Sequence, residues 1–131
     1  MNRSVMREKC MVMLYQIHLF ESKNLEYDIN TVISNNIDYS NDFVDTLVNG
    51  VLGHTMELDD IANKYMVNWT IDRIDKPATE ILRIAFYELL YMDTPKVVVI
   101  NEAIELAKKY SDEAVRKIVN ATLDKYINEE K

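Results

Sequence analysis

Apolar side chains at Met6, Cys10, Met13, Leu14, Ile17 and Phe20 recur at spacings of three and four. That period puts them on one side of an α-helix running from Val5 to about Phe20. A second line, Arg7, Met11, Tyr15 and His18, lies about a third of a turn away and sets a cation, a thioether, an aromatic ring and an imidazole side by side. It reads either as a wider core face with a charged edge or as a recognition surface, with Tyr15 offering a stacking face and Arg7 an anion contact. Residues 21–41 are polar and Asn-rich, broken by Ile29, Val32 and Ile33, which support a short second helix. Ser40 or Asn41 is placed to cap a third, whose stripe is Val44, Leu47, Val48, Val51, Thr55 and Leu58. Asn49-Gly50 alone is a hairpin signal, but the flanking apolar residues repeat at three and four instead of alternating. A helix with close packing at Gly50 and Gly53 is expected. A fourth helix is expected from about Glu57 to Asn68, burying Leu58, Ile61, Ala62 and Tyr65.

Trp69 closes that unit, and Asp72-Arg73-Ile74-Asp75 reads as a turn, with Asp75 capping a helix that begins near Pro77. From Ala78 to Met92 the chain is apolar almost all round, so this helix is central. Its charges Arg83 and Glu88 then need partners, which points to structural hydrogen bonding. The next helix, about Val97 to Tyr110, should bury Ile100, Ala103, Ile104 and Ala107, with Glu105 facing Lys108 and Lys109. Ser111 is placed to cap the last helix, Asp112 to about Asn128, from which Arg116, Lys117 and Asn120 project. The fold class is all-α, about seven helices, and no linker or repeat divides residues 1–131, so one domain is expected.

Composition agrees with that pattern. The chain has 131 residues, 48% apolar and 28% charged, with only two glycines and two prolines to supply turns. Cys10, the only cysteine, sits on the core stripe and is expected to be a buried thiol. No apolar run approaches the roughly 20 residues of a membrane span, and no secretory leader is visible, so a cytoplasmic protein is expected. The net charge of −7 is unevenly distributed. Residues 1–27 carry four basic and three acidic groups, 28–75 two and nine, and 76–131 nine and ten. A nucleic-acid face built from the first and last helices is therefore electrostatically possible, despite a total charge that opposes counterion release from phosphates.

Nothing in the chain supports catalysis or a resident cofactor. His18 and His54 lack metal-spaced companions, and one cysteine cannot complete a zinc site. The neighbours Asp59-Asp60 and Glu129-Glu130 point about 100° apart on a helix and form no acid/base pair. With both glycines inside Asn49-Gly53, no phosphate loop can be built.

Two further runs carry a resemblance. Leu82-Arg83-Ile84-Ala85-Phe86-Tyr87-Glu88-Leu89-Leu90 is followed, across Thr94-Pro95, by Val99-Ile100-Asn101-Glu102-Ala103-Ile104-Glu105-Leu106-Ala107-Lys108. In this order and spacing they resemble the NusB family, and the likeness extends through Leu14-Tyr15-Gln16, residues 68–73, Val119-Asn120 and Leu123-Asp124-Lys125. The resemblance implies two small packed helical bundles and an RNA-binding transcription antitermination factor rather than an enzyme. It further implies binding to boxA of nascent ribosomal RNA together with the ribosomal protein NusE, in a complex on RNA polymerase, with a homodimer also possible. It places RNA contacts at Arg3, Arg7, Tyr15, Arg116, Lys117 and Asn120, and structural or partner-facing roles at Arg83, Tyr87, Glu88, Asn101 and Glu102.

The chain departs from the family pattern in a sparse basic N-terminal arm, in Ala121 where relatives carry glycine, and in the charge order of residues 112–116. Two alternatives stay open: a helical adaptor that binds only protein, and the NusB-like domain attached to RNA cytosine methyltransferases. The second expects a catalytic domain and a second cysteine that these 131 residues do not contain.

Overall fold

The computed structural model describes residues 2–129. Seven α-helices follow in order: α1 (Arg3–Ser22), α2 (Ile29–Asn36), α3 (Asp42–Gly53), α4 (Thr55–Tyr65), α5 (Lys76–Tyr91), α6 (Lys96–Tyr110) and α7 (Glu113–Glu129). A single 3₁₀ turn, Ile71–Arg73, precedes α5, and there is no strand among the described residues. Glu130 of the terminal acidic pair lies outside them.

Short polar side chains set the helix starts. Asn2, Asp28, Asn41, Asp75 and Asp112 each accept a hydrogen bond from the backbone N–H three residues on, at 2.9–3.0 Å. Each satisfies a donor that the first helical turn would otherwise leave unpaired. Asn2 is why α1 begins ahead of Val5. Asp112, and not Ser111, caps α7; the Ser111 hydroxyl instead donates to Asp75 Oδ1 at 2.9 Å, tying the start of α7 to the cap of α5.

α1, α2 and α3 pack as one small bundle and α4 to α7 as another, with α5 common to both: it touches α1, α3, α4, α6 and α7. Its near-continuous apolar surface requires that place, and residues 78–82 and 84–88 are all buried. On α1 the predicted stripe is the core face, with Cys10, Met13, Leu14 and Ile17 inaccessible. Met11, from the second line, is buried as well.

Other expectations change: Thr55 and Leu58, read as the end of the third helix's stripe, lie on α4, because α3 stops at Gly53. α4 ends at Tyr65, short of Asn68, because Met66 is already extended and Asn68 takes a left-handed φ of 65°. On α6, Val99 and Leu106 are buried while Ile100 and Ile104 are only half-buried, since the helix packs against both α5 and α7 and its inward face is rotated accordingly. Of the two glycines, only Gly50 is closely packed: a Cβ there would lie 2.1 Å from the Tyr87 ring, whereas at Gly53 it would meet nothing within 4 Å.

Burial, with the nearby Glu88 charge, pushes the Cys10 thiol up to about 12. The thiolate is the reactive species. Cys10 is therefore expected to resist a disulfide reagent at neutral pH and to react fully once the chain is unfolded in denaturant, which a thiol titration with and without urea measures.

Candidate nucleic-acid interface

The sequence-predicted contact residues fall in three places. At the start of α1, Arg3 is exposed, with its guanidinium carbon 4.6 Å from the centre of the Phe43 ring. One turn on, Arg7 is not at the surface at all: it is 3% exposed. Its Nε and Nη2 donate to the two carboxylate oxygens of Glu88 at 2.7 and 2.8 Å, and Nη1 donates to Glu102 at 3.2 Å. Thr94 adds a hydroxyl to Glu88 at 2.8 Å, and Ser4 donates to Glu102. Burial opposes the Arg7 charge, but hydrogen bonding and attraction from Glu88, with Glu102 behind it, outweigh that and hold its pKa above the ordinary value. Arg7 therefore joins α1 to α5 and α6. A phosphate contact would need this guanidinium at the surface, whereas the bidentate pair with Glu88 holds it inward at 3% exposure.

Tyr15 is 38% exposed and lines a cleft of about 230 Å³ with His18, Leu19, Asp59, Glu80 and Arg83. Behind it the charges are mutually satisfied. Arg83 donates to both oxygens of Asp59 at 2.7 and 2.8 Å, and Glu80 lies 2.6 Å from His18 Nδ1 and 3.3 Å from Arg83 Nη1. Arg83 and Glu88 are thus both paired within the fold, to Asp59 and to Arg7. Tyr87 is buried against Gly50, Glu102 is an Arg7 partner, and Asn101 is exposed on α6.

On α7, Val119 and Leu123 are inaccessible, which turns Asn120 and Lys117 to solvent. Lys117 Nζ is 3.4 Å and Arg116 Nη2 4.0 Å from Glu113, both within exposed or half-exposed pairs. Such pairs contribute little, so these cations can exchange partners readily. Elsewhere, Lys108 pairs with Glu105 as expected, but Lys109 turns to Glu8 at 2.6 Å; with the Tyr110 hydroxyl this ties α6 to α1.

One group beside Lys117 was not singled out by sequence reasoning. Val67 and Trp69 are 62% and 39% exposed, and with Tyr65, Lys117, Ile118, Ala121 and Thr122 they line a cleft of about 200 Å³. The only sequence signal was a bulky aromatic residue in a polar connection, which reads equally well as a bundle cap.

Comparison with known proteins adds the family. The NusB family model matches residues 4–128. A protein of Staphylococcus aureus named transcription antitermination protein NusB is 40% identical, over 94% of this chain and 96% of its own length. The Bacillus subtilis protein of that name is also 40% identical, over 94% and 92%. Among solved structures, T. maritima NusB superposes with a TM-score of 0.84 at 30% identity, covering 98% of this chain and 92% of that one. NusB in a complex of the antitermination factors NusB and NusE with dsRNA gives 0.78 at 23% identity, covering 98% and 97%, a likeness of fold. With its all-α two-bundle fold, its paired signature runs on α5 and α6 and these full-length relatives, the chain belongs to the NusB family.

Proposed function

We propose that this protein is an RNA-binding transcription antitermination factor. Together with ribosomal protein NusE it binds boxA of nascent ribosomal RNA and helps assemble an antitermination complex on RNA polymerase. The observation that carries this reading is the 40% identity, along nearly the whole of both chains, to relatives named as transcription antitermination proteins. The surface supports it: in a chain of net charge −7, Arg3, Arg116 and Lys117 reach solvent on helices whose opposite faces are locked into the core. Arg3, Tyr15, Arg116, Lys117 and Asn120 act as RNA contacts, Asn101 faces a partner, and Arg7 positions the N-terminal helix. The act is recognition and tethering, with no bond made or broken.

With Arg7 withdrawn from the surface, few cations are left to displace counterions, so RNA affinity without NusE should be weak and strongly salt-dependent. Anisotropy of a labelled boxA RNA, titrated with and without NusE at two salt concentrations, tests this. Selective binding over a scrambled RNA, tightened by NusE, is expected. Lys117→Ala should weaken binding to both RNAs alike and lower the salt slope by about one. No selective binding even with NusE would leave the protein-only adaptor.

A further inference from the structure

We infer that the cleft between the α4–α5 connection and α7 is a base-stacking site, in which Trp69 receives one unpaired nucleobase of the bound RNA. The inference rests on the RNA-binding reading above and goes beyond it by naming a site that reading does not contain. Three observations on different elements lead to it.

The first is the backbone. Between the buried Met66 and the buried Ile71 the chain turns through Asn68 at a φ of 65°, a left-handed conformation that asparagine tolerates better than most residues. Its neighbours Val67 and Trp69 consequently both line the cleft instead of entering the core. A large aromatic ring left 39% exposed is an apolar surface that the fold covers only in part.

The second is the wall opposite. Ile118, Ala121 and Thr122 of α7 form an apolar side, with the Lys117 side chain at the rim. Ala121 is small and exposed, so the wall is open at this point. A cleft of about 200 Å³ is on the scale of one inserted ring, not of a docked helix.

The third is charge. The Arg73 guanidinium carbon stands 5.2 Å from the Trp69 ring centre, and Lys64 Nζ stands 5.2 Å from the Tyr65 ring centre. Lys117 is the cation that lines the cleft; Arg73 and Lys64 stand over two of the rings that line it, and Arg116 shares Glu113 with Lys117. An aromatic platform flanked by cations is the arrangement that holds single-stranded nucleic acid: the ring stacks on the base and the cations follow the phosphates. It also gives Arg116, Lys117 and Asn120 a stacking partner, because Tyr126, the aromatic residue of α7, packs edge-on against Tyr65 and Phe86.

Trp69 is the only tryptophan, so its emission reports on this cleft alone. Titration with boxA RNA is expected to quench that emission with the same midpoint as the anisotropy of the labelled RNA. Ala121→Glu places a carboxylate in the cleft from an exposed helix position. It should leave the circular dichroism and melting temperature unchanged while weakening RNA binding about tenfold, within the range for loss of one base–aromatic stack. Trp69→Phe, which keeps a smaller stacking face, should weaken binding less than Trp69→Leu. If RNA binds by anisotropy while Trp69 emission is unchanged and Ala121→Glu binds like the parent, the stacking site is wrong and the RNA-binding function stands. If neither RNA nor RNA with NusE gives any anisotropy change, the function fails and the site with it. Quenching by a protein partner alone, with no response to RNA, would make the cleft a protein dock and overturn the inference.

Discussion

Arg7→Ala is expected to cost about 3–5 kcal/mol of folding stability, the loss typical of removing one partner from a buried ion pair. Glu88 is 1% exposed and would be left in the core with only the Thr94 hydroxyl beside it. Urea unfolding followed by far-UV circular dichroism measures this as a lower midpoint. Arg7→Lys should recover little, because one ammonium cannot reproduce two parallel N–H donors at 2.7 and 2.8 Å while also reaching Glu102. Removing both charges, as in Arg7→Met with Glu88→Leu, should cost less than Arg7→Ala alone, since no unpaired charge stays in the core. An Arg7→Ala protein as stable as the parent but weaker for RNA would return this residue to the RNA surface.

Gly50→Ala is expected to destabilise, against the helix propensity that alone would favour alanine by up to about 1 kcal/mol. The new Cβ would sit 2.1–2.4 Å from Tyr87 Cζ, Cε1 and Oη. The ring cannot move aside freely: it is buried, with the His54 and Tyr91 rings at centroid distances of 5.7 and 5.2 Å. Overpacking of this kind costs about 1–3 kcal/mol. Gly53→Ala, on the same helix with open space around it, should be neutral or stabilise by up to about 1 kcal/mol. Thermal melts should therefore place Gly50→Ala below the parent and Gly53→Ala at or above it. Gly50→Ala combined with Tyr87→Leu should regain part of the loss; if it regains none, the ring contact is not the cause.

The α1 line of Arg7, Met11, Tyr15 and His18 shows where sequence reading stops. Periodicity put all four on one side of the helix, and they are on that side, yet Arg7 and Met11 are closed in while Tyr15 and His18 border an open cleft. What separates them is which element lies opposite. α5 and α6 bring Glu88 and Glu102 over Arg7, 81 and 95 residues away in the chain. Further along α1, the space between Tyr15, Asp59 and the start of α5 is left unfilled. A charge at a helix position looks the same in the sequence whether it will meet solvent or a distant carboxylate.

Helix identity, helix order, the central place of α5, the burial of Cys10 and the cap at Asp75 were all legible in the sequence, and Asn41 was one of two caps it offered for α3. Each depends on side chains within one or two turns of each other: the spacing of apolar residues, a polar cap three residues before its N–H, and an uninterrupted apolar surface that only a central helix can bury. The family followed from the runs on α5 and α6 for the same reason. The partner of Arg7, the cap of α7, the unequal packing of Gly50 and Gly53, and the meeting of Trp69 with Lys117 were decided only by tertiary structure. Each depends on distance between residues far apart in the chain, which close packing of the helices determines and local periodicity does not encode.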